Sequence, residues 1–217
     1  MKSMIKTAQG QIEVNTLGHA GILLTVDGKN IYFDPYSEAA QYKGMPIADV
    51  VLITHDHYDH YDIEALRHIL NPNTIIIANA DVARLTDVAH VMSYGDKIEV
   101  LGIEIEAVPA YNIEHRNDEG NHFHPRGVGN GYLLTVDGCT LYIAGDTENI
   151  PEMAALKGKV DVAFLPKNLP YTMSDEMWVD AVRMIEPRVV YPIHYFELDM
   201  ESLKEALKDM SNIEIRK

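Results

Sequence analysis

The chain has 217 residues, 47% of them hydrophobic, and a formal net charge of −15, which suits a globular domain with a substantial core and excludes a disordered chain. The excess of carboxylates makes nucleic acid an unfavourable partner, and no apolar run reaches the ~20 residues of a membrane span. The start, MKSMIKTAQGQIEVNTLG, lacks the apolar stretch of an export signal, and the single Cys139 allows no intrachain disulfide; both predict a cytoplasmic protein.

In chain order, residues 21–38, GILLTVDGKNIYFDPYSE, come first: two apolar strands around Asp27-Gly28, a strong hairpin signal. DVVLITH then reads as a buried strand. DIEALRHIL reads as a helix with Ile63, Leu66, Ile69 and Leu70 on one face, TIIIA as a strand and NADVARLTDV as a short helix. DKIEV and IEIEAV flank Leu101-Gly102 as a further hairpin. Residues 131–148, GYLLTVDGCTLYIAGDTE, align on residues 21–38 without a gap, and half of the eighteen positions are identical. PEMAAL follows as a helix opened by Pro151, VDVAFLP as a strand, and SDEMWVDAVRMIE as a helix capped by Ser174 and stopped by Pro187. The strand RVVYPIH, the helix ESLKEALKDM and the strand IEIR complete the pattern. Hairpins followed by crossover helices, in two similar halves, predict an α/β fold in the form of a four-layer αββα sandwich. No linker separates the halves, so one domain is expected over residues 1–217.

The densest chemical signal is THDHYDH, where His55, His57, Asp59 and His60 follow a β-branched strand. In an extended segment positions i and i+2 share a side, so His55 and His57 can grip one cation, while Asp59 and His60 can swing onto a neighbouring ion. Imidazole with carboxylate suits zinc, with iron, manganese or nickel as alternatives. Two later strands also end in ligand types, TLYIAGDTE at Asp146 and VVYPIHY at His194, and strand ends in layered α/β structures commonly converge on one edge. The loop AYNIEHRNDEGNHFHPRGVGNGY adds His115, His122 and His124. His124 precedes Pro125, which holds it away from helical geometry. His19 in LGHAG is a candidate to orient a ligand, Arg116 and Arg126 are candidates for an anion, and Tyr171 is a candidate pocket residue.

THDHYDH followed by AGDTE and PIHY resembles the metallo-β-lactamase fold superfamily, over nearly the whole chain. LGHAGILL and FDP resemble the branch containing L-ascorbate-6-phosphate lactonase and the phospholipase D that hydrolyses N-acylphosphatidylethanolamines. VPAYN, FHPRG, YIAGDTE and LPYTM resemble small bacterial and archaeal metal-dependent hydrolases of that branch. The resemblance implies a metallo-β-lactamase-like fold with two divalent metal ions. It assigns His55 and His57 to one ion, Asp59, His60 and His194 to the other, and Asp146 to both. Relatives often supply the remaining ligand as Pro-Ala-x-His, but here Asn112 stands in the histidine position. His124 is expected to replace it, with His122 and His115 as alternatives.

The implied activity is that of a binuclear metal-dependent hydrolase. Water bridging the ions would lose a proton near neutral pH and attack a small ester, lactone or phosphodiester, with Asp59 orienting the hydroxide. The expected partner is a small-molecule substrate and not nucleic acid, and homo-oligomerisation is compatible with the sequence. A different class, a non-catalytic metal-binding or ligand-sensing protein of the same fold, is kept open by Asn112.

Overall fold

A computed structural model describes residues 2–217, which fall into two compact units that divide between Ser93 and Tyr94. The first unit contains β1 (Lys2–Lys6), β2 (Gln11–Gly18), β3 (Gly21–Val26), β4 (Lys29–Phe33), β5 (Val50–Leu52), α1 (Ile63–Ile69), β6 (Ile75–Ala78) and β7 (His90–Val91). Its seven strands lie side by side in chain order, antiparallel from β1 to β4 and parallel from β4 to β7. The second unit contains β8 (Lys97–Val100), β9 (Ile103–Pro109), β10 (Asn130–Val136), β11 (Cys139–Ile143), β12 (Val162–Pro166), α2 (Asp175–Ile185), β13 (Val189–Ile193), α3 (Met200–Ala206) and β14 (Glu214–Ile215). These seven strands are also in chain order, antiparallel from β8 to β11 and parallel from β11 to β14.

The internal echo in the sequence therefore reports a repeated topology. In each sheet the echoed hairpin, β3–β4 or β10–β11, is the last antiparallel pair before the sheet turns parallel. Its turn is fixed by chemistry: Asp27 and Gly28 have φ of 48° and 77°, and Asp137 and Gly138 have 48° and 74°. Two successive positive φ values define a type I′ turn, whose twist matches that of the flanking strands.

Each unit has its own core. In the first, Ala65, Leu66 and Ile69 of α1 pack with Tyr32, Val51, Ile53 and Ala78. In the second, Trp178, Ala181, Val182 and Ile185 of α2 pack with Tyr142, Ala163, Leu165 and Val190, and the Trp178 indole donates to the Leu165 carbonyl at 3.2 Å. The Ser174 hydroxyl caps α2 as expected, accepting from the Met177 amide.

Several elements depart from expectation. Ile63 is 54% exposed, because the buried face of this short helix is filled by Ala65, Leu66 and Ile69. The expected helix NADVARLTDV is a single 3-10 turn, Val82–Arg84; the Asn79 side chain takes the Val82 amide, offering the backbone a turn in place of a longer helix. PEMAAL is likewise a 3-10 segment, Pro151–Leu156. α3 starts at Met200, because Asp199 takes the amides of Glu201 and Ser202. β1 and β2 extend the first sheet beyond the elements expected, with Ile12 and Val14 buried between outward Gln11 and Glu13.

Candidate metal centre

In the first unit β2, β4 and β5 run the same way, so His19, Asp34 and the segment Thr54–His60 all emerge at one edge of the sheet. Asp34 organises this edge. Buried to 1% exposure, its carboxylate accepts the Thr54 amide at 2.9 Å and the Thr54 hydroxyl at 2.7 Å. It also lies 2.8 Å from Nδ1 of His60. A carboxylate only accepts, so Nδ1 of His60 carries the proton and Nε2 presents a lone pair. His55 is held in the same way. The Thr54 hydroxyl donates to Asp34, so its oxygen is left to accept from Nδ1 of His55 at 3.0 Å, and Nε2 of His55 is again the lone-pair nitrogen. The His55 ring lies 4.4 Å from that of His57 and 4.1 Å from that of His60, centroid to centroid. Nε2 of His19 reaches Asp59 at 2.8 Å, so this histidine contacts a candidate ligand directly.

The second unit repeats the arrangement. β9, β11, β12 and β13 run the same way, and Asn112, Asp146, Asn168 and His194 follow their carboxyl ends. His124 arrives at the same edge just before β10. Nε2 of His124 lies 3.3 Å and Nε2 of His194 3.2 Å from the same oxygen, Oδ2 of Asp146. Nδ1 of His124 faces Oδ1 of Asn112 at 2.9 Å, and Nδ1 of His194 lies 3.3 Å from the Asn168 amide group. The Nε2 atoms of His55, His60, His124 and His194, and Oδ1 of Asp146, are all shut away from solvent.

Neither His115 nor His122 stands beside Asp146 in this way. His115 lies against Glu148, Nδ1 to Oε1 at 2.7 Å, and Nδ1 of His122 is 3.3 Å from the His115 carbonyl. Glu148 is fully buried, which raises its pKa; the amides of Ile113, Glu114 and His115 and the His115 ring outweigh this and hold the carboxyl below its ordinary value. Arg126 is committed to Glu152 at 2.8 Å, and Arg116 to the Gly120 carbonyl at 2.9 Å. The Tyr171 ring is exposed and stands edge-on to Phe123, while its carbonyl accepts from the Asn112 amide.

Asp34, Thr54, Asn168 and Glu148 shape these edges although motif reading assigns them no role. One signal for Asp34 was available in FDP, a carboxylate at the end of a buried strand. Backbone strain marks the same places. Of the non-glycine residues with positive φ, Asp27, Leu101 and Asp137 open hairpin turns and Glu186 ends α2. Among the described residues the others are His19, Asp34 and His194, each at one of these sheet edges, and such strain is commonly held at functional sites.

A metal ion fits these residues. Neutral imidazole Nε2 lone pairs facing a carboxylate oxygen repel it unless a cation or proton lies between, and imidazole with carboxylate is a ligand set for divalent transition metals. Histidine and carboxylate groups able to hold an ion are found among the described residues. Sheet edges carrying oriented histidines and carboxylates define the class: an α/β protein with side chains that could hold a metal ion. The family model of the beta-lactamase superfamily domain matches residues 13–194, and the chain belongs to that superfamily.

A UPF0173 metal-dependent hydrolase of Thermococcus kodakarensis is 33% identical over 94% of this chain and 96% of its own length. Among solved structures, a protein from Parabacteroides distasonis is 43% identical with a TM-score of 0.93, over 100% of this chain and 97% of that one. Igni18, a metallo hydrolase from Ignicoccus hospitalis, is 23% identical with a TM-score of 0.75 over 94% of each chain, a likeness of fold. The expected metallo-β-lactamase-like α/β fold of two similar halves is the fold of this protein.

Proposed function

We propose that the protein is a binuclear metal-dependent hydrolase acting on a small ester, lactone or phosphodiester, and that the two units work as one domain. His55, His57 and His124 are assigned to one ion, Asp59, His60 and His194 to the other, and Asp146 to both. One observation carries the reading: Nε2 of His124 and Nε2 of His194 both point at Oδ2 of Asp146, at 3.3 and 3.2 Å. A single proton can serve only one of these rings, whereas a cation held by each ring would suit the carboxylate they share. The match of one family model across residues 13–194 supports a single domain.

Bound divalent ions, zinc in this reading, would supply a water acidified to near neutral pH and an electrophile for the developing charge. The chain's own residues orient that chemistry. Asp34 and Thr54 fix the tautomers of His60 and His55, and Asp59, held by His19, directs the nucleophile. No serine or cysteine nucleophile is required, and Cys139 is buried with its thiol pushed up to about 11.

Metal analysis of protein purified without added metal tests the proposal. Near two equivalents are expected in the parent, and His124→Ala should lose metal. Hydrolysis of a panel of lactones, phosphodiesters and thioesters should disappear on chelation and return with zinc. A parent that binds no metal, or hydrolysis unaffected by chelation, overturns it.

A further inference from the structure

We propose that Asn112, locked by Glu148 and the Tyr171 carbonyl, is the positioning residue that delivers His124 to Asp146; the inference rests on His124 being a metal ligand. Asn112 stands three residues beyond β9, at the position where the resemblance implies a metal-binding histidine. Its amide works one step further back.

The orientation of that amide is over-determined. Nδ2 of Asn112 donates to the Tyr171 carbonyl at 2.8 Å and to Oε1 of Glu148 at 3.2 Å. Both partners are acceptors, so the nitrogen end of the amide is fixed and Oδ1 must face the other way. There it accepts the His124 backbone amide at 2.7 Å and lies 2.9 Å from Nδ1 of the same residue. An amide oxygen cannot donate, so Nδ1 of His124 carries the proton and Nε2 is aimed at Asp146. The backbone closes the pair, because the Asn112 amide donates to the His124 carbonyl at 2.9 Å.

Glu148 is the anchor behind this clamp. Its carboxylate takes the amides of Ile113, Glu114 and His115 at 2.7, 2.7 and 2.8 Å as well as Nδ2 of Asn112. The loop from Ile113 to Phe123 thus leaves and returns through one buried pair, Asn112 and His124.

Long-range proton–nitrogen correlation spectra of metal-stripped protein, joined to zinc affinity by chelator competition, test this. In the parent, Nδ1 of His124 should be protonated. Asn112→Ala should lose that preference and bind zinc roughly 10–100-fold more weakly, while keeping the stoichiometry that His124→Ala loses. Asn112→Asp keeps the acceptor for His124 but sets an oxygen against Glu148 and Tyr171. It should preserve the tautomer and recover affinity relative to Asn112→Ala, at a lower melting temperature. An unprotonated Nδ1 in the parent, or parent affinity in Asn112→Ala, overturns the proposal. If Asn112→Ala does not fold, the parent spectrum and Asn112→Asp still decide. A parent with the expected tautomer but no zinc binding overturns the metal reading and the inference that rests on it, and is told from a failure of the inference alone by parent zinc affinity in Asn112→Ala.

Discussion

Asp34 is the residue on which the first unit's candidate ligands depend most. It is buried, takes the Thr54 amide and hydroxyl, and lies against Nδ1 of His60. Replacing it with alanine leaves these donors buried without their acceptor, at about 1–3 kcal/mol for each group. Asp34→Ala should therefore lower stability by roughly 3 kcal/mol or more, read by urea unfolding of metal-stripped protein. Zinc affinity should fall about 10–100-fold with the loss of the groups that orient His60 and His55. Unchanged unfolding in Asp34→Ala would show that the carboxylate does not organise this edge.

Two elements give further predictions. Gly131 is the second residue of β10, where a Cβ would meet the Ala144 carbonyl oxygen at 2.8 Å and that of Ile143 at 3.1 Å. Backbone, not a flexible side chain, is in the way, so Gly131→Ala should cost roughly 1–3 kcal/mol. The strain falls on the segment leading to Asp146, so zinc binding should weaken with it; a variant with parental stability and affinity would refute the steric account.

Asp62 caps α1, accepting the Glu64 amide at 2.8 Å, and also holds the Ser37 amide at 2.7 Å and its hydroxyl. Partial burial raises its pKa, but these hydrogen bonds outweigh it and the net shift is downward from 3.8. A depressed carboxylate contributes stability that is present above the unfolded value and lost as pH falls through the folded value. Asp62→Ala should thus cost about 1 kcal/mol at pH 7, with the gap from the parent closing below pH 3.8. A gap that stays constant with pH would assign the loss to packing.

For the whole molecule, metal removal is the decisive perturbation. A ligand that binds only the folded state adds about 2.7 kcal/mol at one hundred times its Kd, so chelation should lower the melting temperature and zinc should restore it. Hydrogen exchange after chelation should rise in the Thr54–His60 segment and in the segments around His124 and Asp146; a segment whose exchange is unchanged would lose its place in the proposed ligand set.

The sequence by itself determined the repeated hairpins, most strands and the kinds of ligand present. Alternation, Asp-Gly turns and a dense run such as THDHYDH are local signals, carried within a few residues. Tertiary structure decided how each ring is held and which loop histidine faces Asp146. Those choices depend on partners far apart in the chain: Asp34 and His60 are 26 residues apart, and Asn112 and Glu148 are 36 apart. Asn112 is the clearest instance. As a letter it is a missing ligand; in the fold its amide oxygen turns His124 toward Asp146. A side chain's chemistry is written at its own position, but its orientation is set by hydrogen bonds that only the folded sheets bring together.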